Sequence, residues 1–317
     1  MFLISVLLSI VFILALPDDA FAQQYSLSIS PPLVEIKIQP GKSLIKAFDI
    51  ENKGEADLYL SSRIVPFEPK GELGKINLLD NSLAFSKFES EGLKFGLINV
   101  SPSLGETFLL RSGEKKQLVL KITALQTATE KDHYFTFLIE QTIKGEFLSQ
   151  SATSAQAKIG SNVLLSVSKL EKSAPQGQIA NFEAKPLLAD IFDKVDFRTV
   201  VVNGGAGYFK IGGGIEVKNW QGKTVEKLKF RPDNVLTASR REAVCWQQEE
   251  EIQIDCQFKP GWPGKYKAVL SFYPNDDAGQ VLTKQVVFWV LPIRIIIGLL
   301  VTSLFGWYIL ARIKENN

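Results

Sequence analysis

Between an apolar segment at each end, the chain alternates polar and apolar residues with a period of two. Tyr25, Leu27 and Ile29 alternate with serines, and Val34, Ile36 and Ile38 with Glu35, Lys37 and Gln39. Leu118, Leu120 and Ile122 recur against Gln117, Val119 and Lys121. Tyr266, Ala268, Leu270 and Phe272 recur against Lys267, Val269 and Ser271. Such alternation turns one face to a core and the other to water, as in half-buried antiparallel strands. Turn residues separate the runs, at Pro40-Gly41-Lys42, Asn52-Lys53-Gly54, Ser112-Gly113-Glu114, Gln221-Gly222-Lys223 and Asp276-Asp277-Ala278-Gly279. Short strands with regular turns predict an all-β chain of two immunoglobulin-like β-sandwich domains, and no amphipathic helical period stands out between the ends.

A polar stretch, Ser173-Ala174-Pro175-Gln176-Gly177-Gln178, marks a boundary. It follows the charged segment Lys169 to Lys172. The first sandwich is expected over 24–170, a linker over 171–178 and the second sandwich over 179–291. Residues 66 to 95 read as a long irregular insertion in the first.

The two apolar ends differ. Phe2 to Leu16 is broken by Pro17 and followed by Ala20-Phe21-Ala22, with small residues at the −3 and −1 positions of a cleavage site. This reads as a secretory signal peptide, residues 1–22, cut after Ala22; an uncleaved anchor is the alternative. Ile295 to Ala311 carries no charge and is bounded by Arg294 and Arg312, whose long side chains can snorkel to headgroups. It predicts one transmembrane helix over 294–312, with a short cytoplasmic tail, 313–317, and the rest of the chain outside the cell. The second sandwich then sits on the bilayer and the first projects beyond it.

Composition removes several function classes. A net charge of +2, without a basic stripe, argues against nucleic acid. One His and two Cys argue against a transition-metal enzyme, and no cofactor motif is present. Gly41-Lys42-Ser43 lacks the earlier glycine of a phosphate loop, because Ile36 stands there. The runs Asn203 to Gly207 and Gly212 to Gly214 do not match a dinucleotide fingerprint and read as loops or bulges between strands. Asp190, Asp193 and Asp196 lack the glycine and distal Glu of a calcium loop. His133 has no nucleophile elbow to pair with and reads as a strand-start residue. Asn99-Val100-Ser101 is a formal glycosylation sequon. In an exported chain, Cys245 and Cys256 predict a disulfide across a hairpin; two free thiols are the alternative.

Short motifs carry a resemblance. Ser30-Pro31-Pro32-Leu33-Val34-Glu35, Gln39-Pro40-Gly41-Lys42-Ser43 and Phe48-Asp49-Ile50-Glu51-Asn52 look like the first strands of bacterial chaperone-like and surface-protein immunoglobulin-type domains. Leu110 to Glu114 resembles the second turn of such domains. Val235 to Arg241, Trp246, Gly264-Lys265-Tyr266 and Phe288 to Pro292 resemble the closing half of a related sandwich. The order of signal peptide, two sandwiches, membrane helix and basic tail is similar to the bacterial WxL-interacting protein family. That resemblance implies cell-surface anchoring, a peptidoglycan-binding-type first domain and a partner-binding second domain.

These readings lead to a non-enzymatic, membrane-anchored cell-surface protein that binds cell-wall polymer or a surface protein. The alternative is an accessory scaffold or chaperone that acts by β-strand addition on surface or pilus-like subunits. First contact is expected in the first sandwich, with the edge around Ser30 to Gln39 as a candidate.

Overall fold

The computed structural model describes residues 26–80, 82–98, 103–142, 157–169, 176–247, 252–275 and 281–315. The expected cleavage site at Ala20 and Ala22, the sequon at Asn99, and residues 171–175 of the expected linker lie outside the described residues.

The first sandwich contains β1 (Leu27–Ser30), β2 (Leu33–Ile38), β3 (Ser43–Asn52), β4 (Leu58–Lys70), β5 (Lys75–Leu78), β6 (Leu93–Leu97), β7 (Thr107–Leu110), β8 (Lys115–Ala124), β9 (Asp132–Gln141) and β10 (Lys158–Val167). One sheet runs β1-β3-β8-β6. The other runs β2-β10-β9-β4-β5, with β7 also on β4. This is the immunoglobulin order, with the first strand divided between the sheets. β1 pairs antiparallel with β3, and β2 runs parallel to β10. Pro31-Pro32 separates them, and prolines, having no N–H, cannot continue a ladder. Phe48, Phe135 and Phe137, all fully buried, fill the space between the sheets.

The second sandwich contains β11 (Gly177–Lys185), β12 (Leu188–Asp190), β13 (Val195–Asn203), β14 (Phe209–Lys218), β15 (Thr224–Phe230), β16 (Asn234–Val235), β17 (Arg240–Glu242), β18 (Cys245–Gln247), β19 (Ile252–Ile254), β20 (Gln257–Phe258), β21 (Gly264–Pro274) and β22 (Leu282–Leu291). β12 lies parallel to β22 as β2 lies parallel to β10, so the same split first strand recurs. Phe209, Phe272 and Phe288 are its fully buried aromatics. Strand β11 begins at Gly177, inside the expected linker.

The described residues of 66–95 are largely regular, contrary to the sequence expectation. β4 continues through Pro69, β5 returns beside it, and a helix, α1 (Ser82–Ser90), leads into β6. Nine residues make about two and a half turns, too few for a 3.6-residue period to stand out. Phe88 from α1 is buried against Phe95 and Phe135, so the helix closes one end of the core.

The last strand passes through Pro292 alone into α2 (Ile293–Glu315), slightly longer than the expected 294–312. Residues Ile293–Lys314 have a mean hydropathy of 2.0, none of that helix is buried against the protein, and it is long and apolar enough to cross a membrane. At 1.5 Å per residue it spans about 33 Å, against about 30 Å of hydrocarbon.

Candidate partner-binding surface

The first sandwich has a free sheet edge at β2. On β2, Val34 and Ile38 are buried, whereas Ile36 packs on the core but stays half-buried; Leu33, Glu35 and Lys37 face outward. Ile29 of β1 and Ile159 of β10 are likewise half-buried against the same core. β2 pairs with β10 from Leu33 to Ile38 and ends its sheet on the other side. The first residues of β10, Lys158 to Ser161, pair with β9 but precede the β2 register, which starts at Asn162. Within the expected edge from Ser30 to Gln39, β2 is thus a sheet terminus with two buried core-facing side chains, Val34 and Ile38, and one, Ile36, only partly covered. An edge of this kind can accept a further strand, because its backbone groups face outward and alternate side chains have somewhere to go.

The outward-facing Leu33 and Glu35 of β2 line a cleft of about 370 Å³ between the sandwiches. Its floor is apolar, with Leu33, Phe67, Leu164 and Leu236, and its mouth carries Lys75, Lys210 and Arg241. Lys210 reaches Glu35 at 2.9 Å, and the Asn234 amide donates to the same carboxylate at 2.8 Å. The β4–β5 hairpin, within the segment read as irregular, crosses to the second sandwich. There the Glu72 carboxylate pairs with Arg198 at 2.5 Å and Arg240 at 3.3 Å, and its carbonyl accepts from the Glu242 N–H at 2.7 Å.

Behind the cleft, the half-buried aromatics Tyr134 and Tyr208 pack with Phe67, Leu164 and Leu236. Asp132, itself buried, accepts from the Tyr208 N–H at 2.5 Å, the Tyr134 hydroxyl at 3.0 Å and the Ser166 hydroxyl at 2.7 Å. The Tyr134 oxygen accepts in turn from the Thr237 N–H at 3.1 Å. Burial pushes the Tyr208 phenol up to about 12, with the Glu35 and Asp132 charges adding to it. Burial and then Asp132 also raise Tyr134. The Tyr134 phenol therefore stays a neutral donor to Asp132, and a buried acid with two aromatic rings joins the sandwiches behind the cleft.

The remaining sequence-marked residues have structural places. Cys245 and Cys256 form a disulfide closing the β18–β19 hairpin. His133 is the second residue of β9 and is buried; its Nδ1 lies 3.0 Å from Glu91 and its Nε2 3.3 Å from the Thr129 carbonyl. Burial lowers its pKa, against the opposing pull of Thr129 and Glu91. Gly41 sits at φ 80° in a plain turn. Gly212 to Gly214 lie within β14 rather than between strands. At Gly213, with φ 109°, a Cβ would come 1.9 Å from the Ser271 carbonyl, so only glycine lets β14 pass β21. The three aspartates do not converge: Asp190 caps α2, accepting from the Arg294 N–H at 2.8 Å, while Asp193 pairs with the Arg294 side chain at 2.5 Å. Arg312, the other flank, donates to the Tyr308 hydroxyl at 3.0 Å. Among the described residues, no group of three or more His, Cys, Asp or Glu could hold a metal ion.

No family model matches the chain, and no curated protein matches it. Similar solved structures include the class 5 fimbriae chaperone CfaA, at 11% identity and TM-score 0.40, covering 84% of this chain and 100% of that one. The CsuC–CsuE chaperone–tip adhesion subunit complex from the archaic chaperone-usher Csu pili of Acinetobacter baumannii is similar at 14% identity and TM-score 0.37, covering 84% and 98%. The ASH/PapD-like domain of human CEP192 is similar at 12% identity and TM-score 0.30, covering 50% and 94%.

Proposed function

We propose that the protein is a membrane-anchored, non-enzymatic accessory that holds an extended segment of a surface protein by β-strand addition along β2. The membrane helix fixes it in the cell membrane, with both sandwiches on the outer face and the basic end of α2 in the cytoplasm. The observation that carries the reading is the edge strand β2, which ends its sheet and whose core-facing Ile36, opposite Leu165 of β10, is only half-covered. A segment with alternating apolar residues would complete both the ladder and the core there, a chemistry that a glycan polymer does not offer. For this reason the ligand is read as a polypeptide and not as cell-wall polymer.

The test is photo-crosslinking in intact cells from a probe at Lys37, with a control probe at Lys227 on β15. The expected product joins Lys37 to an alternating segment of one surface protein. With that segment bound, amide exchange over 33–38 should slow by about tenfold or more. A partner that crosslinks only from Lys227, or one that leaves exchange over 33–38 unchanged, refutes the assignment.

A further inference from the structure

We infer that the end of the second sandwich next to α2 is a membrane-docking rim, with Trp220 and Trp262 as its interfacial anchors. The inference rests on the membrane reading of α2. Trp220 is 70% exposed and Trp262 79% exposed, and Phe192 and Leu187 are each more than half exposed. The strand registers bring them to one end. Lys218 at the end of β14 pairs with Lys267 near the start of β21, which places the turn holding Trp220 beside the loop that leads into Gly264. A Cβ on Gly264 would lie 3.4 Å from the Trp220 ring. Gly264 pairs with Val290, Asp190 with Leu291, and Lys185 with Asp196, so the loops holding Trp262, Phe192 and Leu187 share that end with Pro292.

These side chains stand on fixed turns. The Asn219 side chain accepts from the Gln221 and Lys223 N–H groups at 3.1 and 3.0 Å, which sets the turn around Trp220. The Tyr266 hydroxyl donates to the Trp262 carbonyl at 2.8 Å. Exposed apolar side chains gathered on one end of a domain, unlike scattered single ones, mark a contact with a protein or a membrane. Here the cover follows from the helix. One residue separates β22 from α2, and the Arg294 N–H is capped by Asp190 in the adjacent strand, so the helix cannot swing away on a linker. Any bilayer that encloses α2 from its first turn therefore brings its headgroup layer, some 5–7 Å deep on each side, against this rim. Trp suits that layer because its ring is apolar and its N–H is polar. Lys223, Lys259 and Lys265 are exposed on the same end and match anionic headgroups.

The test uses the full chain reconstituted into phosphatidylcholine vesicles, with and without phosphatidylglycerol, containing lipids with a quencher at headgroup depth. Parent chain is compared with Trp220→Phe/Trp262→Phe. Both side chains are exposed, so the double variant should keep the parent circular dichroism and resist alkaline extraction equally. The expected result is that headgroup-depth quenching of Trp emission falls about twofold in the variant. An inserted helix with equal quenching in parent and variant overturns the inference alone. A helix extracted by alkali overturns the membrane reading and the inference with it. Shielding of the two rings that depends on protein concentration and not on lipid assigns the rim to a second copy of the chain and also overturns the inference.

Discussion

Asn203 in the second sandwich makes the same three hydrogen bonds as Asn52 in the first. The Asn52 amide donates to the Ala56 and Leu110 carbonyls at 2.8 and 3.2 Å, and its oxygen accepts from the Gly54 N–H at 3.0 Å. The Asn203 amide donates to Gly207 and Val235, each at 2.9 Å, and accepts from Gly205 at 2.9 Å. Both side chains are essentially fully buried at the end of the second full strand of their sandwich. Replacing either by Ala strands two carbonyls and one N–H. Each variant is expected to lose about 3 kcal/mol, at about 1 kcal/mol for each of the three stranded groups, because two of the three bonds are only part-buried. The loss should appear in the amide exchange of that sandwich alone. Asp should rescue neither, because a carboxylate cannot donate to the carbonyls. Equal loss in both sandwiches from one substitution refutes the assignment.

Asp132 bridges the two sandwiches, since it belongs to β9 yet accepts from the Tyr208 N–H across the boundary. Asp132→Ala takes the acceptor from that N–H and from the Ser166 hydroxyl, while the Tyr134 hydroxyl keeps the Thr237 hydroxyl as acceptor at 3.2 Å; the cost is about 1–3 kcal/mol. The expected outcome is a wider distribution of domain angles, read as a larger radius of gyration in detergent-solubilised protein by small-angle scattering. Each sandwich should keep its strand content by circular dichroism. An unchanged scattering profile would show that the Glu72 and Glu35 pairs fix the angle by themselves.

The strands were legible in the sequence wherever one face meets water. Gln117 to Ile122 and Tyr266 to Phe272 alternate cleanly and are strands with that burial pattern. The segment 66–95 was not legible, for two reasons. Pro66 and Pro69 look like breaks but are accommodated in β4, which pairs with β9 up to Pro66 and with β5 beyond it. Its Glu72 tip acts on the other sandwich, a relation across 126 positions that no local pattern carries. Asp190 was equally hidden: a helix cap is normally sought one or two residues before the helix, and here the carboxylate arrives from a neighbouring strand. The edge at Ser30 to Gln39 was a candidate as part of the distal sandwich, but its half-covered Ile36 appears only once β10 is placed.

His133 gives the first sandwich a pH dependence of known sign. Burial holds its pKa below the ordinary value of about 6.5, so the unfolded chain binds a proton more readily than the native state does. Stability from this group is complete above the unfolded pKa and is lost as pH falls from there toward the folded pKa. Denaturation midpoints of the first sandwich should therefore fall below about pH 6.5. His133→Gln, which can still donate to Glu91, should flatten that part of the profile. A parallel decline in parent and variant would place the dependence elsewhere, with Glu140 the next group to test. Hydrogen bonding by Arg63 holds its carboxyl below the usual range, so its contribution is lost only at a more acidic pH.

The disulfide should stabilise the second sandwich and leave the first untouched. Cys245 and Cys256 are 11 positions apart, and closing a loop of that length in the unfolded chain is worth about 3 kcal/mol. Cys245 is fully buried, and its strand pairs with β15 at Phe230, so the link ties the β18–β19 hairpin to the edge of the larger sheet. Ala is the better replacement, because Ser would add a polar group to a buried position. The Cys245→Ala/Cys256→Ala variant is expected to unfold the second sandwich about 3 kcal/mol more easily. Peptide-resolved amide exchange in denaturant can follow the two sandwiches separately, with β3 and β8 reporting the first and β14 and β21 the second. The expected pattern is faster exchange in β14 and β21 with β3 and β8 unchanged. If all four strands lose protection together, Asp132, Glu72 and the aromatic cluster behind the cleft join the sandwiches into one cooperative unit, and the disulfide serves both.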